Sequence, residues 1–190
     1  MEAPHKVDIT AEITPNPNTL KFNVNQTLLE SGSIDFPNTQ KAQGSLLASA
    51  LFEIESVIGV FIGTNFITVT KAPAANWNNL VTPVTEKIRA LLDSGETLFS
   101  KDAPVSHEST AGGDPEIEKK IRAILDNEIR PAVAMDGGDI TFYGYENGVV
   151  TLHLQGSCSS CPSSIMTLKM GVENRLKSLI PEIKEVVQVQ

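Results

Sequence analysis

Residues 94–113 divide this chain. The stretch holds few large apolar side chains and is rich in Ser, Thr, Gly, Pro and charge, the composition of a flexible linker. A chain of 190 residues could be one large domain or two small ones. The break decides for two: a first domain over 1–93 and a second over 114–190, each with its own core. His107 lies within the linker, has no partner nearby in sequence, and reads as solvated.

The first segment alternates from the start. Val7, Ile9, Ala11 and Ile13 are spaced by polar residues, a turn follows at 14–18, and Leu20, Phe22 and Val24 alternate again, which predicts a hairpin. Residues 31–44 are polar and read as irregular. Ser45 is placed to cap a short helix carrying Leu46, Leu47, Ala50, Leu51 and Ile54. Strands are expected at 57–61 and 66–70, joined by Gly63-Thr64-Asn65. A helix from Asn76 through Leu92 presents Leu80, Val84, Ile88, Leu91 and Leu92 on one side, with Trp77 packing at its start. The order is ββαββα.

The second segment opens on Asp114-Pro115-Glu116, a capping residue followed by a proline at the first helical position. Ile117, Ile121, Ile124 and Leu125 give the apolar face, and Arg130-Pro131 is expected to end or kink the helix. A tight loop at 135–139 leads to a strand with Ile140, Phe142 and Gly144. Asn147-Gly148 is a strong two-residue hairpin signal, and Val150, Leu152 and Leu154 line the partner strand. Gly156 and Ser157 break that strand. Pro162 opens a helix whose apolar face is Ile165, Leu168, Val172, Leu176 and Leu179. Pro181 stops it, and 183–189 forms a last strand. The order is αββαβ, a two-layer unit, and no repeat relates the two halves. The fold class is therefore α+β, in two small domains.

Cys158 and Cys161 are the only cysteines, and both fall in the strand-to-helix loop of the second domain. A helix N-terminus stabilises anions, so both thiol pKa values are expected to be lowered. Two soft thiolates two residues apart can grip one metal centre or close a small redox disulfide. The bland alternative is a buried, inert pair. Gly, Ser and Pro surround the pair where apolar neighbours would be expected for inert cysteines.

The net charge of -8 shows no basic stripe, which excludes ordinary nucleic-acid binding. No apolar run approaches the length of a membrane span. The first eight residues resemble neither a signal nor a transit peptide. Two close cysteines are no disulfide framework and suggest a reducing compartment. The expected location is cytoplasmic.

Asp136-Gly137-Gly138-Asp139, then Gly156-Ser157-Cys158-Ser159-Ser160-Cys161-Pro162-Ser163-Ser164, then Thr167-Leu168-Lys169, resemble the C-terminal domain of NifU, the Nfu domain. The first segment, with Ile13-Thr14-Pro15-Asn16-Pro17-Asn18-Thr19-Leu20-Lys21-Phe22, is similar to the domain that precedes it in Nfu-type proteins. The resemblance implies an iron–sulfur cluster carrier or scaffold and no enzyme. Cys158 and Cys161 are then the ligands of a 4Fe-4S cluster, held between two subunits and passed to apo-proteins. A cluster-bound homodimer, upstream cluster donors and client apo-proteins are the implied partners. Such a cluster usually needs four thiolates, so the second pair must come from elsewhere, most simply from a two-fold partner. The cysteine loop is then expected to be exposed. The chain lacks the cysteine-bearing scaffold domain and the ferredoxin-like domain of full-length NifU, which favours late carriage over de novo assembly.

Two rivals remain. A thiol–disulfide oxidoreductase also opens a helix with C-x-x-C, but a thioredoxin-like fold needs several strands after that helix, and about ten residues remain here. A zinc-bridged dimer could use four thiolates. His153 lies on the outward phase of its strand and reads as a surface residue, not a third ligand. The two glycines of the Asp-Gly-Gly-Asp loop are expected to let the chain approach the cysteine loop closely, and Asp136 or Asp139 to accept hydrogen bonds that fix it.

Overall fold

A computed structural model of the chain describes residues 7–99, 114–159 and 162–189. Met1 to Lys6, the greater part of the expected linker with His107, and Cys161 lie outside the described residues. The chain divides into two compact units, Met1–Val105 and Ser106–Gln190. Both are mixed sheets and helices, as the α+β class requires.

The first unit is one antiparallel sheet of five strands in the order β1-β2-β5-β4-β3. β1 (Ile9–Ile13) pairs with β2 (Thr19–Val24), and β4 (Val57–Ile62) with β5 (Phe66–Lys71). α1 (Leu46–Phe52) is capped by the Ser45 hydroxyl, which accepts from the Ala48 amide at 3.0 Å. α2 (Trp77–Ser94) is capped by Asn76 and ends at Gly95 in the left-handed region. The core holds Phe22, Ile34, Phe36, Leu47, Leu51, Ile62, Ile67, Val69, Val84 and Ile88, all fully buried. The Trp77 indole donates to the Pro17 carbonyl at 3.1 Å and packs on that core.

Two differences from expectation have simple causes. The stretch 31–44 is not wholly irregular: β3 (Ile34–Phe36) is an edge strand that buries Ile34 and Phe36 against β4. Three residues are too short for alternation to register. The stretch expected as linker begins later, because Ser94 still belongs to α2, while Leu98 and Phe99 pack on the first core and the Leu98 carbonyl accepts from the Leu46 amide.

The second unit starts with α3 (Pro115–Ile124), capped by the Asp114 carboxylate. Pro131 does not end the helical run. A wider π turn over Leu125–Ile129 absorbs the missing N–H and the ring, and α4 (Arg130–Met135) continues. β6 (Gly138–Glu146) and β7 (Val149–Gly156) form a hairpin whose turn residues, Asn147 and Gly148, have φ of 53° and 90°. α5 (Pro162–Leu179) then leads to β8 (Glu185–Val189), which lies parallel to β7, so β7 is central in the order β6-β7-β8. Ile121, Leu125, Ile140, Phe142, Val150, Leu152, Leu154, Val172, Leu176 and Val186 form the core. The inward face of α5 steps from Leu176 to the buried Ile180; Leu179, expected inside, is exposed.

Candidate functional site

The site is the end of β7 and the turn after it. Gly156, with φ 65°, ends the strand opposite Gly138, and a short turn over Ser157–Ser159 carries Cys158. Two hydrogen bonds fix this turn: the Ser157 amide donates to the Gly137 carbonyl at 3.1 Å, and the Ser159 hydroxyl donates to the Gly156 carbonyl at 2.8 Å. Gly137 has φ 80°, so it lets the chain reverse before β6. Gly138 allows the close approach. A β-carbon there would stand 2.9 Å from the Cys158 sulfur and 2.7 Å from the Gln155 carbonyl oxygen. The two glycines do what the sequence reading asked of them.

The Asp139 carboxylate accepts two bonds from Arg130, from Nε and Nη2, each at 3.0 Å, and one from the Ile140 amide at 2.8 Å. Asp139 thus clamps α4 onto the start of β6, and the pair, with Asp126, raises the Arg130 pKa above its ordinary value. Arg130 was legible only as the residue before a proline. Its position nine residues ahead of an acid in a glycine turn was the available signal. Asp136 is exposed and acts on the site through its charge.

Cys158 departs from both expectations made for it. It is 6% exposed and belongs to the second core. Its thiol pKa is raised, not lowered, from 9.0 to about 12, first by burial and then by the negative charges of Asp136 and Asp139. The helix N-terminus does not offset this. Cys158 sits in the turn before α5, on the strand side, where desolvation outweighs any dipole. His153 is partly buried on the face of β7 opposite the core and is pushed below its ordinary pKa by that burial. Among the described residues, no group of three or more His, Cys, Asp or Glu side chains could hold a metal ion. Among the described residues, no helix is long and apolar enough to cross a membrane.

Two α+β units, the second carrying Cys158 on a strand-to-helix turn packed on a glycine pair, define a protein built on a NifU-like domain. The comparisons agree. Residues 121–187 match the NifU-like domain, and residues 9–95 match the scaffold protein Nfu/NifU N-terminal domain. A Drosophila ananassae protein named "NFU1 iron-sulfur cluster scaffold homolog, mitochondrial" is 47% identical over 189 residues, covering 95% of this chain and 64% of its own length. The human protein of the same name is 46% identical over 182 residues, covering 95% of this chain and 71% of its own. The solution structure of a NifU-like protein from Saccharomyces cerevisiae aligns with 54% of this chain and 92% of its own, at 30% identity and a TM-score of 0.47. The chain belongs to the NFU family of iron–sulfur cluster scaffold proteins. It spans about two thirds of the length of the relatives it matches, 64% of the fly protein. Both of these relatives are named as mitochondrial, which overturns the expected cytoplasmic location. That expectation rested on the first eight residues and on the reducing compartment that two close cysteines suggest, and neither fixes which compartment that is.

Proposed function

We propose that this chain is a non-enzymatic carrier that takes up a 4Fe-4S cluster through Cys158 and Cys161, shares it with a second chain, and releases it to client apo-proteins. In this reading 114–190 is the cluster-binding domain, 1–93 an Nfu N-terminal-like domain, and 94–113 the linker. The observation that carries it is the cysteine distribution. The chain has two thiols, both falling in sequence between the last residue of β7, Gly156, and the first of α5, Pro162, and such a cluster usually takes four.

The turn fits a cargo site better than a redox one. A reactive thiol–disulfide pair needs a lowered pKa. Cys158 is buried and pushed up to about 12, so at neutral pH it is a protonated, protected thiol. A bound metal centre deprotonates the thiols it takes. The residues beside Cys158, namely Gly156, Ser157 and Ser159, carry no bulky side chain.

The test is anaerobic reconstitution with iron and sulfide, followed by visible and Mössbauer spectra, iron and sulfide analysis, and sedimentation. The expected result is a 4Fe-4S spectrum, one cluster per two chains, and a monomer after chelation. Cys158→Ser or Cys161→Ser should abolish stable cluster binding while leaving the fold intact. A single variant with wild-type cluster stability, or a monomer holding a full four-iron cluster without added thiol, overturns the reading. A colourless dimer with zinc in stoichiometric amount would replace it with the zinc-bridged module.

A further inference from the structure

We propose that the turn at 136–139 acts on the cargo through charge as well as shape: Asp136 hastens release, and Arg130 restrains it by neutralising Asp139. The inference rests on the reading that Cys158 binds the cluster, and it adds the residues that set how long the cluster stays.

Backbone contacts bring both carboxylates to the cysteine turn. The Ser157 amide donates to the Gly137 carbonyl at 3.1 Å, so Asp136 and Cys158 each stand one residue beyond that bond. Gly138 pairs with Gly156, and a β-carbon on it would lie 2.9 Å from the Cys158 sulfur. Asp139 is the next residue. Burial first, and then the charges of Asp136 and Asp139, push the Cys158 pKa up, so both carboxylates are felt at the sulfur.

Their surroundings treat the two acids differently. Asp139 is 8% exposed and meets Arg130 through two bonds of 3.0 Å. Its charge is thus balanced at the place where poor solvation would make it strongest. Asp136 is exposed, and none of the ion pairs among the described residues includes it. One negative charge beside the thiol is neutralised and the other is left bare.

The chemistry of the cargo gives the sign. Thiolate ligands outweigh the positive charge of an iron–sulfur core, so the bound cargo is an anion. The empty site holds a neutral, protonated Cys158. On release the iron–Cys158 bond breaks, a donor atom of the acceptor takes its place on the iron, and the sulfur takes up a proton; no electron moves. A fixed negative charge nearby therefore penalises the loaded site and leaves the empty one alone. Asp136 favours release. Removing the Arg130 guanidinium would bare a second such charge.

The test is a charge series at position 136, whose exposure spares the fold. Full-length Asp136→Glu, Asp136→Ala and Asp136→Lys chains are reconstituted anaerobically. Loss of the visible cluster band to an uncharged bipyridine chelator is timed at low and high salt, and circular dichroism of the apo forms checks the fold. Asp136→Glu should match wild type. Asp136→Ala should release about two- to fivefold more slowly, the size of an exposed charge interaction. Asp136→Lys should be slowest, and the spread should shrink at high salt. Arg130→Gln should release about tenfold faster, the scale of losing a group that supports a metal site from behind. Arg130→Gln combined with Asp139→Asn should return toward wild type, because the bared charge is gone. Equal rates across the series at 136, a spread unmoved by salt, or a double variant no slower than Arg130→Gln overturns the proposal and leaves the carrier reading standing. A wild-type chain that takes up no cluster overturns both.

Discussion

The two units solve the same packing problem with different materials. The first closes a five-stranded sheet around Phe22 and Phe36, both fully buried, and contains no cysteine. The second has three strands and a core that includes Cys158 itself. In the first, stability comes from apolar fit, helix caps and a few polar contacts, with no thiol involved. In the second, the group proposed to bind cargo is also a core residue, so changes that loosen the core also loosen the site.

The largest effect should come from removing an aromatic ring. Phe142→Ala empties a fully buried position in the second unit, and such changes cost about 3–5 kcal/mol. That approaches the whole stability of a small domain. Scanning calorimetry should show the second unit's transition lowered or lost and the first unit's unchanged. Phe22→Ala should do the reverse. A single transition that shifts with either substitution would break the comparison, since the units would then be one cooperative body.

Alkaline pH should separate the units next. The Cys158 thiol is held up at about 12 when folded, against an ordinary 9.0. A group whose folded pKa is raised gives stability that is complete below the unfolded value and is lost as pH climbs to the folded one. The second unit should therefore weaken between about pH 9 and 12, and Cys158→Ser should remove that part of the slope. Denaturant midpoints across this range would show it. An unchanged slope in the serine variant would mean that the thiol is not protected in solution.

Glycine substitutions sharpen the contrast further. At Gly138 a methyl group meets backbone, the Gln155 carbonyl, at 2.7 Å and the Cys158 sulfur at 2.9 Å. Neither can retreat cheaply, so Gly138→Ala should cost the second unit about 1–3 kcal/mol and shorten the lifetime of a bound cluster. At Gly59, in the first unit, the nearest atoms are in the Thr70 side chain at 3.2 Å. Gly59→Ala should cost less and leave cluster lifetime alone.

What could be read from sequence was local. Asn147-Gly148 forms its hairpin because both residues tolerate positive φ. Ser45, Asn76 and Asp114 cap their helices because their side chains reach amides a few residues on. The burial of Cys158 was not legible, because its immediate neighbours are small and polar. Its cover comes from Gly138, twenty positions earlier and brought close by the β6–β7 ladder. The Arg130 clamp on Asp139 and the exposure of Met166 and Met170 are likewise products of packing. A helical wheel gives the direction of a side chain but not what stands opposite it.

The smallest effect compares two helix caps, one in each unit. Ser45 is 1% exposed, and its hydroxyl accepts from the Ala48 amide at 3.0 Å and donates to the Leu98 carbonyl at 3.3 Å. The exposed Asp114 carboxylate accepts from the Glu116 amide at 3.0 Å. Losing a cap costs roughly 0.5–2 kcal/mol. Ser45→Ala should lie at the upper end, because it strands a buried amide and loosens the 94–99 segment from α1. Asp114→Ala should lie at the lower end, because water can replace the carboxylate and Pro115 still starts the helix. Urea midpoints would rank the two. A larger loss at Asp114 would reverse the ranking of the two caps by burial and show that the exposed carboxylate does more at the start of α3 than water can replace.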